Sequence, residues 1–103
     1  MSVINLTVNL ADELGRTGVT VNVVHPGMTY TEGLEPKLKL RADALGLPVK
    51  TYVERIAQEN VIGRLVTALD VASVVTFLSS AAAAALTGVV VPVTGGTGGA
   101  IYY

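Results

Sequence analysis

The stretch Val19-Thr20-Val21-Asn22-Val23-Val24-His25-Pro26-Gly27-Met28-Thr29-Tyr30-Thr31 decides the fold. Residues 19–25 are rich in β-branched side chains, which predicts a strand buried on both faces, as in a parallel sheet. Pro26-Gly27 then breaks the run, so the chain turns at the carboxyl end of that strand. Open α/β sheets bind their ligands just beyond such ends. Residues 26–31 are therefore the best-placed ligand contact in the chain.

Working outward, residues 2–14 predict a helix with Ser2 as its cap. Val3, Leu6, Leu10 and Leu14 form one apolar stripe, and Ile4, Val8 and Ala11 form a second beside it. The pattern fits either burial on two sides or one wide apolar face. Gly15 and Gly18 end the helix and lead into the strand. Within that strand Asn22 is the one strongly polar residue, and it reads as a core group needing hydrogen-bond partners.

Residues 32–60 change character. Five of the seven basic residues lie here: Lys37, Lys39, Arg41, Lys50 and Arg55. Leu34, Leu38, Leu45 and Leu47 predict a short amphipathic helix and a loop. Pro48 can open a second helix with Tyr52, Val53, Ile56 and Ala57 on one face. A charged helical insertion after a ligand-bearing strand end reads either as a lid or as a pair of solvated surface helices. Beyond it, Thr67 and Asp70 have the spacing of a capping box for a helix over 67–80. Val71, Val74, Val75 and Leu78 would be its core face, and Ala81 to Ala85 would continue or fray it. Thr87-Gly88 breaks the chain again before a second β-branched strand, Val89 to Val93, whose Pro92 suits an edge or a terminus.

The order helix, strand, helical insertion, helix, strand predicts an α/β fold with two parallel strands joined right-handedly. Two strands make a small sheet, so the unit reads as part of a larger doubly wound fold, a single partial domain over 1–103. Composition agrees: 50% hydrophobic and 15% charged, against about 25% charged for a typical domain. The excess predicts a deep core or an interface. With a net charge of -1 there is no basic stripe for nucleic acid. There is no cysteine, and one histidine, so no thiolate or histidine metal site is expected. No targeting segment or membrane span is legible, which makes the cytoplasm the expected compartment.

Ordered motifs over nearly the whole chain resemble the C-terminal part of the short-chain dehydrogenase/reductase family. They are Leu10-Ala11-Asp12-Glu13-Leu14-Gly15 with Gly18, then Val19, Val21-Asn22-Val23 and Pro26-Gly27 continuing to Thr31. Gly63-Arg64, Asp70-Val71-Ala72, Phe77-Leu78-Ser79-Ser80, Thr87-Gly88, Val91-Pro92-Val93 and Thr94-Gly95-Gly96 follow in family order. The resemblance implies a Rossmann-like doubly wound parallel sheet and NAD or NADP as cofactor. It implies alcohol oxidation or carbonyl reduction of a small-molecule substrate.

The resemblance also places cofactor contacts at Pro26, Gly27, Met28, Thr29 and Thr31, with Thr29 acting through its main chain and Thr31 through its hydroxyl. Residues 32–60 become the substrate lid. The family's catalytic Ser and Tyr-x-x-x-Lys precede the first helix, the Lys one residue before Met1, so no catalytic residue is expected within the chain. Carbonyl reduction needs that Tyr as acid and that Lys to lower its pKa. The first helix and last strand are expected to contact partner subunits in a homo-oligomer, and the rival to an enzyme fragment is a non-catalytic self-association module. His25 and Asn22 read as structural. Gly95 to Gly99 follows a strand as a phosphate loop does, but no helix follows it, so it reads as a tail. Tyr30 and Tyr52 either line a substrate pocket or pack.

Overall fold

The computed structural model describes residues 2–96. Helix α1 spans Val3–Leu14 and begins at Ser2, whose hydroxyl accepts from the Asn5 amide at 3.1 Å. A 3-10 turn over Gly15–Thr17 leads through Gly18, at φ +86°, towards strand β1, Val23–Pro26. Strand β2 is Thr29–Tyr30. Helices α2, Glu35–Ala44, and α3, Val49–Gln58, form the insertion and pack on each other. Strand β3, Val66–Thr67, precedes α4, Ala68–Leu78, and strand β4, Val90–Val93, follows.

β1 and β4 pair in parallel, with Val23 opposite Val90 and Pro26 opposite Val93. This is the sheet expected from the two β-branched runs. A second parallel pair, β2 with β3, aligns Thr29 with Val66 and Tyr30 with Thr67. Two residues a side carry too little periodicity to be seen in sequence.

The regular strand is shorter than the expected 19–25, for a local reason. Gly88 sits at φ +70°, so the chain curls before β4 and cannot hold an even ladder. Side chains fill the gap. The Val21 amide donates to Thr87 Oγ1 at 3.1 Å, and the Gly88 amide donates to the Val21 carbonyl at 2.8 Å. Asn22 spans both sides of the curl: its Nδ2 donates to the Leu86 carbonyl at 3.1 Å and its Oδ1 accepts from the Val89 amide at 3.2 Å. Asn22 is thus a satisfied structural group.

Two further expectations need correcting. β1 is not buried on both faces: Val23 and Val24 are half-buried, and His25 and Pro26 are exposed. The reason is that β1 lacks a second neighbouring strand among the described residues. Helix α1 also turns its small residues inward. Thr7 and Ala11 are buried, whereas Val3, Ile4, Leu6 and Val8 are exposed. A Cβ on Gly88 would lie 3.4 Å from the Ala11 Cβ, so the helix packs against that turn through its small residues.

The cap of α4 is as expected: Thr67 and Asp70 form a reciprocal capping box. Val71, Val74 and Leu78 are half-buried on its inner face, but Val75 is exposed. Ala81–Ala83 do not continue α4; they form a separate 3-10 turn after Ser80 adopts an extended backbone. Large side chains fully buried among the described residues are few, Leu38 and Val66. The glycine tail beyond Gly96, including Gly98 and Gly99, lies outside the described residues.

Candidate functional site

Pro26-Gly27 ends β1, and the Gly27 amide donates to the Val93 carbonyl at 3.2 Å. The turn therefore stays stitched to the end of β4 as it leaves the sheet. A Cβ on Gly27 would lie 3.2 Å from both the Cα and Cβ of Thr94. The absent side chain is what lets the two strand ends close up. Thr94 itself is buried, and its hydroxyl accepts from the Gly96 amide at 3.3 Å.

The structure brings the sequence-predicted residues together on one short path beyond the strand ends. Met28 is 45% exposed. The Thr29 hydroxyl donates to the Gly27 carbonyl at 3.2 Å, which commits that side chain to the turn. Thr31 is exposed, and its side chain does not cap the 3-10 turn that follows over Glu32–Leu34. Gly27 and Met28 also line a cavity of about 260 Å³ with Ile56, Asn60, Leu65 and Thr94. That cavity joins the carboxyl ends of β1 and β4 to the far end of the insertion.

A second docking contact fixes that far end, and sequence reasoning does not find it. The Val61 amide donates to the Gly96 carbonyl at 2.9 Å, and the Ile62 amide to the Gly95 carbonyl at 3.1 Å. Asn60 Nδ2 donates to the Arg64 carbonyl at 2.8 Å. Arg64 then forks onto Asp70, at 2.7 Å to Oδ2 and 3.1 Å to Oδ1. The Arg64 guanidinium and the Thr67 amide hold the Asp70 carboxyl well below the usual carboxylate range. One carboxylate thereby caps α4 and anchors the exit of the insertion. The local signal for it is the Gly63-Arg64 pair six residues ahead of a capping-box Asp.

The insertion forms its own cleft of about 500 Å³, bordered by Tyr30, Glu35, Leu38, Lys39, Val49 and Val53. Tyr30 donates its hydroxyl to Glu35 Oε1. That bond, with a smaller desolvation effect and the nearby negative charge, raises the phenol above its usual 10.0. Tyr30 thus lines a pocket and ties β2 to α2, whereas Tyr52 lies half-buried on α3. Among the described residues no group of three or more His, Cys, Asp and Glu could hold a metal ion, and no helix is long and apolar enough to cross a membrane.

Known proteins align with this geometry. A family model described as enoyl-(acyl carrier protein) reductase matches residues 1–98. An uncharacterised oxidoreductase of Bacillus subtilis is 36% identical over 99 residues, spanning 92% of this chain and 38% of the relative. Cyclohexanol dehydrogenase of a Rhodococcus species is 38% identical over 95 residues, spanning 92% of this chain and 32% of the relative. Among solved structures, an actinorhodin polyketide ketoreductase with NADPH superposes with a TM-score of 0.78 at 35% identity, covering 95% of this chain and 38% of that one. L-sorbose reductase of Gluconobacter frateurii superposes with a TM-score of 0.82 at 24% identity, covering 96% and 38%, and shares the fold. The chain spans between 32% and 38% of the length of these relatives.

Proposed function

This chain belongs to the short-chain dehydrogenase/reductase family, and on that footing we propose that it is the C-terminal part of an NAD(P)-dependent enzyme that oxidises an alcohol or reduces a carbonyl on a small molecule. The observation that carries the reading is the Pro26–Thr31 turn, which leaves the sheet at the carboxyl ends of two adjacent parallel strands.

The residues present fit a nicotinamide cofactor. When bound, it carries the hydride. Gly27 keeps the turn tight against Thr94. The Thr29 hydroxyl is already engaged, so Thr29 would meet a carboxamide through its main chain. Thr31 presents an exposed hydroxyl for the same ligand. Pro26 and Met28 border the path between them. The α2–α3 cleft would then cover the substrate as a lid, with Tyr30 and Glu35 at its mouth.

Self-association is favoured by a separate observation. Fifteen large apolar residues are exposed among the described ones, from Val3 to Leu86, and few are buried. Apolar surface on this scale calls for a cover, which the remainder of the parent fold supplies in the first reading and another copy of the chain in the second, a non-catalytic self-association module.

The redox reading is tested by joining this chain to the preceding portion of the Rhodococcus cyclohexanol dehydrogenase. The chimera should consume NADH or NADPH over a panel of carbonyl substrates, and Thr31→Ala should lower kcat/KM about tenfold, the scale of one hydrogen bond to a polar ligand. A folded chimera with neither cofactor binding nor turnover sinks the reading. The 103-residue chain alone should show no turnover and no micromolar cofactor affinity.

A further inference from the structure

We propose that Tyr30 is a positioning residue: through Glu35 it couples occupancy of the cofactor turn to the seating of the helical insertion. This role rests on the redox reading above, since it needs a cofactor at residues 26–31.

The two parts of the site meet at β2. Thr29, Tyr30 and Thr31 are all extended, and successive side chains of an extended chain point to opposite sides. Thr29 and Thr31, the proposed cofactor contacts, therefore share one side. Tyr30 takes the other, where it lines the α2–α3 cleft and donates to Glu35 Oε1. Glu35 is the first residue of α2. The side chain that holds the start of the insertion thus sits between the two cofactor contacts.

The same short ladder holds the other end of the insertion. Tyr30 lies opposite Thr67 on β3. Thr67 caps α4 together with Asp70, and Arg64, at the exit of the insertion, forks onto that Asp70. Residues 31–65 therefore form a loop whose two ends converge on one pair, Tyr30 and Thr67.

The two ends are not equally secured. The exit has both guanidinium bonds, the reciprocal cap and the buried Val66 beside it. At the entry, neither Thr31 before the 3-10 turn nor Leu34 before α2 supplies a side-chain cap. There the Tyr30 hydroxyl is the side-chain tie, and the entry is the end that gives.

A two-residue strand has little order of its own. A ligand that fixes Thr29 and Thr31 also fixes Tyr30 between them, and so lowers the cost of making the Glu35 bond. Linkage makes the effect mutual: the bond favours the cofactor by the same factor as the cofactor favours the bond. For one solvent-exposed hydrogen bond to a carboxylate that factor is roughly three to ten.

The test is limited trypsin digestion of the chimera described above, with and without saturating NADH or NADPH, whichever it binds. The insertion offers five exposed cleavage sites, Lys37, Lys39, Arg41, Lys50 and Arg55. Cofactor should slow cleavage there about threefold or more. Tyr30→Phe should remove most of that protection and weaken cofactor binding by a similar factor. Glu35→Ala should match it, and Glu35→Gln, which keeps an acceptor oxygen, should retain part of the protection. Tyr52→Phe, on α3, is the control and should leave it whole. A merely structural tyrosine would speed cleavage equally with and without cofactor. Should Tyr30→Phe fail to fold, Glu35→Ala carries the test from the other side of the bond. Should the chimera itself fail to fold, the 103-residue chain decides: Tyr30→Phe must speed cleavage at Lys37 and Lys39 more than at Arg55, and an unchanged pattern overturns the role. Cofactor bound with equal protection in the unmodified protein and Tyr30→Phe overturns the coupling and leaves the redox reading standing. A folded chimera that binds no cofactor sinks that reading, and the coupling falls with it.

Discussion

The backbone of Gly96, at φ +74°, lies so close to Val61 that a Cβ on it would sit 2.9 Å from the valine Cβ. Two backbone hydrogen bonds cross the same spot. This contact joins the end of β4 to the exit of the helical insertion, so residues far apart in sequence share one glycine requirement.

Gly96→Ala combines a left-handed backbone with a steric clash. It should destabilise the chain by about 1–3 kcal/mol in urea titration. Gly15→Ala is the matched control, since Gly15 is helical at φ -55° and has nothing within 4 Å of its would-be Cβ. That change should be neutral or stabilising by up to about 1 kcal/mol.

Asn22→Ala leaves the Leu86 carbonyl and the Val89 amide without their side-chain partner. The expected cost is about 1–3 kcal/mol in chemical denaturation. Asn22→Asp keeps the acceptor for Val89 but sets a carboxylate oxygen against the Leu86 carbonyl, so it should cost at least as much as Asn22→Ala.

Thr67→Ala removes the hydroxyl that caps α4 and should cost about 1 kcal/mol. Asp70 gives the same helix a pH dependence. Its folded-state pKa lies below the ordinary 3.8, so its contribution is complete above that value and is lost as pH falls through the folded one. Asp70→Asn should flatten the acid limb of a stability-against-pH curve; an unchanged limb would show that the Arg64 pairing adds nothing.

Tyr30 should ionise above the usual 10.0 in a spectrophotometric titration, because its hydroxyl donates to the Glu35 carboxylate. The group binds its proton more tightly when folded, so its contribution holds below pH 10.0 and is lost as pH rises through the raised value. Glu35→Gln should return the phenol towards 10.0. Tyr30→Phe should remove that late step from the titration of the chain's four tyrosines.

The elements legible in sequence are those with local causes. Ser2, Pro48 and the Thr67–Asp70 pair mark helix starts within one turn, and the β-branched runs mark both strands of the main sheet. The direction in which α1 faces is not legible, because both its stripes are apolar. The buried side is the one carrying Thr7 and Ala11, with Ala11 packed against the Gly88 turn, a long-range contact. The same distinction runs through the site. Pro26-Gly27 announces a turn at a strand end, and the turn is there. That Thr29 would spend its hydroxyl on Gly27, or that Gly95 and Gly96 would dock on residues 60–63, depends on contacts no window of sequence contains.

Leu38 and Ala42 are sealed within the α2–α3 pair, both at 0% exposure, while Val66, Ala11 and Ala83 are buried elsewhere, beside the strands and in the 3-10 turn. The hydrophobic interior is divided between the insertion and the sheet. All-or-none melting needs contacts that make each part depend on the other. Here that dependence rests on the thin joints at Tyr30–Glu35 and at residues 60–64. Heat should therefore loosen the two regions in succession, and the enthalpy measured by calorimetry should exceed the van't Hoff enthalpy drawn from the shape of the curve.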